Sequence, residues 1–88
     1  MIDPATEVTP GWKFLWIGFE GEGPSLAGLD PWKHEWHDLG GPSIVVAHPS
    51  HPRERHPMWV YEIRTDKKTI KFAAGEFSNQ VWGFFLPV

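Results

Sequence analysis

The chain has no cysteine among its 88 residues. That removes the disulfide framework on which small secreted domains rely, and with it any thiol nucleophile. Positive charge is also short: eight Lys and Arg stand against eleven Asp and Glu, for a net charge of −3 with His neutral. Such a balance gives no grip on a nucleic-acid backbone or an anionic membrane, so neither is expected as a partner. No apolar run approaches the roughly 18–20 residues of a membrane-spanning helix. Residues 1–10 lack the basic start and apolar centre of a secretory leader. The expected location is cytoplasmic.

What the chain does have is aromatic mass. Six Trp, six Phe and one Tyr make up 15% of the residues, and each such ring can bury about 150–250 Å². A short chain can therefore build a core without disulfides, with Trp16 and Trp59 expected among the core rings. Nine Gly and nine Pro punctuate the sequence too often for a helical bundle, about twelve per cent being the usual share of the two together. Short strands and many turns suit it better. Residues 1–10 carry two prolines and no periodicity, and read as a flexible arm; residues 11–88 read as a single β domain.

Strand patterns recur along that domain. Residues 12–19 (WKFLWIGF) are apolar on both faces, which predicts a central strand covered on both sides. Residues 43–47 (SIVVA) read as a buried strand. Residues 58–65 (MWVYEIRT) alternate, with Trp59, Tyr61 and Ile63 on one face. A polar tip at Asp66, Lys67 and Lys68 returns the chain through residues 69–74, with Ile70, Phe72 and Ala74 facing inward. The turn Ser78-Asn79-Gln80 then leads into the last strand, residues 81–88, with Asn as the residue suited to positive φ. Asp30-Pro31 and Gly40-Gly41 bracket a stretch suited to one short helix over 31–39, with Trp32 and Trp36 on one stripe. An irregular loop anchored by the same two indoles is the alternative. The expected fold is mainly β: about five antiparallel strands in a meander, forming a small half-open barrel or sandwich.

Chemical signatures are few. Three His-Pro pairs at His48, His51 and His56, with His34 and His37, place all five histidines in expected connecting segments. Residues before proline are held extended, and on a polyproline-II rise His48 and His51 would stand roughly 9 Å apart, too far to share a zinc ion. His34-Glu35-Trp36-His37 has the wrong spacing for a helical zinc-protease motif, which sets its histidines at i and i+4. Gly18, Gly21 and Gly23 are interleaved with Glu20 and Glu22, which would repel a phosphate. Ser50 and His51 point to opposite faces of an extended chain and form no dyad. Glu62 and Glu76 could pair as carboxylates only if their strands align. No catalytic residue, metal site or cofactor is expected.

The segments FAAGEFSNQVWGFFLP (residues 72–87) and HPMWVYEI (residues 56–63), about a third of the chain, resemble small uncharacterised bacterial proteins. The resemblance implies a bacterial, cytoplasmic origin and carries no activity, ligand or residue role.

The functional expectation is a non-catalytic binding or regulatory module acting through protein–protein contacts, as a homodimer or docked on a partner. Its candidate binding residues are Trp32, Trp36, His48, His51, His56, Trp82 and Phe84. The aromatics are chosen as flat amphipathic surface, and the last strand as an uncharged sheet edge. The alternative is a small metal-dependent or His-dependent enzyme using the His-Pro segment 48–57.

Overall fold

The computed structural model describes residues 8–88. Most of the arm read over residues 1–10 therefore lies outside the described residues. Of its described end, Thr9 donates its backbone N–H to the Val45 carbonyl (2.9 Å) and accepts the Val45 N–H on Oγ1 (3.0 Å).

The described residues form six strands: β1 (Trp12–Phe19), β2 (His37–Asp38), β3 (Ile44–His48), β4 (His51–Arg64), β5 (Thr69–Ser78) and β6 (Val81–Pro87). All pairings are antiparallel. The fold is mainly β, one open sheet in the order β1-β6-β5-β4-β2, with β3 also paired to β4. The hairpins at both polar turns form where the sequence predicts them. At the first, Thr65 caps the tip by accepting the Lys67 and Lys68 N–H groups on Oγ1. At the second, Ser78 lies opposite Val81, and the residue with positive φ is Gln80 (64°) rather than Asn79.

The ends of the sheet are the reverse of the sequence expectation. β6 is not an edge: it lies between β1 and β5, and Phe84 at its centre is fully buried. β1 is not central, since among the described residues it pairs with β6 alone. Apolar residues on both faces of a strand report what covers those faces and say nothing of its in-plane neighbours, which are set by long-range pairing.

Both faces of the sheet centre are buried. Ala73 and Ala74 are adjacent and point to opposite faces, as do Phe84 and Phe85, and all four are buried. On the first face, Ala73, Phe77 and Phe85 join Met58 of β4 and Ile44 and Val46 of β3. On the second, Ile63, Phe72, Ala74 and Phe84 lie beneath Leu26, Trp32 and Trp36 of the β1–β2 connection. Trp59 is only at the margin of this face and is 43% exposed.

That connection is held by local bonds rather than a helix. Asp30 accepts the Trp32 N–H (3.0 Å) and Pro31 opens a 3-10 turn, Pro31–Lys33, as the cap pattern predicts. The helix stops there because the Pro31 carbonyl, which an α-helix would give to residue 35, instead accepts from His34 N (3.4 Å) and Trp36 Nε1 (2.7 Å). His34 is extended. Upstream, Leu26 and Leu29 bridge each other around Ala27 (φ 50°) and Gly28 (φ 89°), the backbone of a tight type I′ turn. Lys68 donates to the Ala27 carbonyl and ties this turn to the β4–β5 hairpin.

Strand β4 begins at His51, seven residues before the sequence pattern does. Prolines at 52 and 57 are tolerated because this half of β4 pairs with β3 but not with β5, whose pairing starts at Trp59 opposite Ala74. The pre-proline preference for extended backbone is itself compatible with a strand.

Candidate functional site

The seven candidate residues fall into two groups, on opposite faces of the sheet. Trp32, Trp36, Trp82 and Phe84 belong to one aromatic stack. Trp36 is its hub, with ring centroids 5.1 Å from Trp32, 5.8 Å from Trp82, 5.7 Å from Phe84, 5.2 Å from Phe72 and 5.3 Å from Tyr61. Most of these pairs are close to perpendicular, the favoured edge-to-face geometry. Trp32 Nε1 donates to the Glu22 carbonyl (2.6 Å), so the indole ties the loop down while its face packs inward. Phe84 is wholly enclosed and belongs to the core, offering nothing to a partner. The three indoles are partly exposed, but they bind one another and the sheet.

Tyr61, the only tyrosine, borders this stack opposite Asp38 of β2. Burial raises its phenol above the ordinary value of 10.0, and the Asp38 carboxylate raises it further by opposing a second negative charge. The folded state thus holds the phenolic proton longer than the unfolded chain. The stability this contributes is complete below the ordinary phenol pKa and is lost as pH rises through the raised one. Ultraviolet difference absorbance of the phenolate should give an apparent pKa above 10.0 for the native protein. Asp38→Asn should lower it partway, burial being the larger cause; an unshifted midpoint in that variant would exclude the carboxylate's contribution.

The second group is the β3–β4 hairpin. His48 lies opposite His51 across the Pro49-Ser50 turn, and their rings are 4.7 Å apart. The roughly 9 Å spacing expected of one straight extended segment does not apply, because the chain reverses between them. His56, two residues beyond Glu54 on the same side of β4, sets Nε2 3.2 Å from Glu54 Oε1. His48 and His56 both rest on the Phe77 ring, at 4.8 and 5.0 Å between centroids, and stand 6.0 Å from each other. Four of the five histidines therefore border or lie within strands, His34 alone being in a connection.

One ring nitrogen each of His48 and His56 is already engaged. Ser50 donates its N–H to His48 Nδ1 (3.0 Å), which places the proton of the neutral ring on Nε2. Among the described residues no group of three or more His, Asp or Glu stands where it could hold a metal ion. Glu62 faces Lys71 and bonds Arg64 Nε (2.5 Å), while Glu76 faces Trp82, so the two carboxylates do not meet.

Two features escape the sequence reading. Phe77 is the platform under the histidines, hidden because the alternation in β5 is read only as far as Ala74. The β1 edge carries Phe14 (46% exposed) and Phe19 (61% exposed); its exposure follows from the strand order, which no local pattern encodes. No family model matches the chain, and no curated protein or solved structure matches it. Among the described residues no helix is long and apolar enough to cross a membrane.

Proposed function

We propose that the protein is a small non-catalytic binding module that acts through a protein–protein contact, and that a second copy of the chain takes the outer edge of β1. The observation that carries this reading is the edge itself. Among the described residues this eight-residue strand is paired on one side only; it carries two exposed phenylalanines and contains a single charge, Lys13. An unpaired edge of that length is a template for another strand.

Self-pairing suits its sequence. A two-fold axis between Leu15 and Trp16 sets Lys13 opposite Gly18, so the lone charge meets no like charge. It also sets Phe14 opposite Ile17. The irregularity in pairing between Phe14 and Trp16 brings Phe14, which packs on Phe85, to the same face as Ile17. Opposite residues in an antiparallel pair must share a face, and this register meets that condition.

Light scattering at micromolar concentration should give a mass near twice 10.1 kDa. Phe14→Lys and Phe19→Lys, both at exposed positions, should give monomers with the parent's circular dichroism. A parent that is monomeric throughout that range would overturn the reading. Turnover of a substrate that is abolished by His51→Ala in a folded variant would favour a His-dependent enzyme instead.

A further inference from the structure

We infer that β1 recognises its second copy by charge as well as by strand pairing, Lys13 of each protomer lying against Glu20 of its partner in two symmetric ion pairs. The ion pairing rests on the β1 contact proposed above, and it makes that edge prefer its own copy to another exposed strand.

Both side chains are free to take a partner. Lys13 and Glu20 are exposed, and the ion pairs among the described residues, His56–Glu54 and Arg64–Glu62, involve neither. Lys13 is opposite Leu86 and Gly18 is opposite Trp82, which puts both on the second face, where Leu86 and Trp82 pack. Glu20 follows the end of the strand, yet its N–H still bonds the Gln80 carbonyl at the start of β6 (2.8 Å). The alternation of an extended chain therefore carries its side chain to the face of Gly18.

The two-fold register that sets Lys13 opposite Gly18 makes Glu20 of the partner its diagonal neighbour, two residues further on. Diagonal positions are roughly 7–8 Å apart, within reach of two long side chains. Gly18 has no side chain to stand between them. Only the edge of the Trp16 indole lies over it, an apolar surface for the methylene stem of the lysine. The two Lys13 residues are themselves five strand positions apart, roughly 17 Å, beyond the screening length of about 8 Å. Parallel pairing in register would instead set Lys13 against Lys13 and Glu20 against Glu20. Charge thus favours the same antiparallel pairing in which the faces match.

Dissociation constants from sedimentation equilibrium at low salt test this on the full chain. Lys13→Glu and Glu20→Lys should each dimerise roughly tenfold or more weakly than the parent. Each turns two attractions into two repulsions, and one exposed pair is worth up to about fivefold. An equimolar mixture of the two variants should form a heterodimer with an affinity near the parent's, because each supplies the charge the other lacks. The double variant Lys13→Glu/Glu20→Lys should regain the parent's self-association, which also shows that the substitutions leave the fold intact. Single variants that dimerise as tightly as the parent overturn the inference and leave the β1 contact standing. So does a mixture that associates no more tightly than its components. A monomeric parent overturns both.

Discussion

Alanine in place of Gly83 should remove about 3 kcal/mol of stability, although it adds one methyl group to a strand. A Cβ there would lie 2.2 Å from Phe77 Cε2, with Cζ and Cδ2 at 2.9 and 3.0 Å. The ring cannot step aside, because it is buried among the first-face residues and capped by His48 and His56. Gly75, opposite Gly83, makes the matching recess for Met58, whose sulfur would be 2.6 Å from a Cβ at that position. The two glycines thus form a notch in the floor of the sheet, and the side chains of β4 and β5 lie in it. Expelling Phe77 forfeits roughly 1.5–3 kcal/mol of burial in addition to backbone strain. The whole margin of a domain this size is about 4–13 kcal/mol. Urea unfolding should show the loss directly. The double variant Gly83→Ala/Phe77→Ala should be nearly as stable as Phe77→Ala alone, since the clash needs both groups. A Gly83→Ala midpoint equal to the parent's would mean that Phe77 does not occupy the notch.

That notch shows which parts of the fold are legible in the sequence. Hairpins are local: Asp66-Lys67-Lys68 and Ser78-Asn79-Gln80 announce their turns, and β5 as far as Ala74 follows from alternation. Asp30 and Pro31 locate the start of the 3-10 turn, but its end depends on the Trp36 indole reaching the Pro31 carbonyl, a contact no propensity encodes. The order of strands is nonlocal. Nothing within residues 12–19 or 81–88 says that the first will be the edge and the second the interior neighbour, because both are apolar on both sides. The same holds for the candidate sites. Trp32, Trp36 and Trp82 are recognisable as a set of indoles, yet their packing on one another, with Trp32 and Trp36 also on Phe84, makes them a lid for the core. The histidines are legible as an unusual run and misread as a straight one, since the reversal at Pro49-Ser50 decides which rings meet.

Phe84→Ala should be the most damaging single truncation, costing about 3–5 kcal/mol through lost transfer energy and an unfilled cavity. Phe84 is fully buried at the centre of β6. Its ring lies 5.9 Å from Trp16, 5.8 Å from Trp32, 5.7 Å from Trp36 and 5.9 Å from Phe72. It is the one residue that joins the β1 indole, the loop indoles and β5, so removing it uncouples the lid from the sheet as well as opening a void. The surrounding rings are tied by Trp32 Nε1 to Glu22 and by Trp36 Nε1 to Pro31, which limits how far they can collapse inward. Trp59→Ala makes the comparison. Indole is the larger side chain, and residues 58–65 read alone place it in the core, but Trp59 is 43% exposed at the margin of the face. Its loss should cost only about 1 kcal/mol, as for other substitutions outside a packed core. The expected order of stability by urea unfolding is therefore parent, then Trp59→Ala, then Phe84→Ala, with the last largely unfolded in buffer because the loss approaches the total margin. Equal losses in the two variants, or the reverse order, would show that the core on this face is centred on β4 rather than on the β6 phenylalanine.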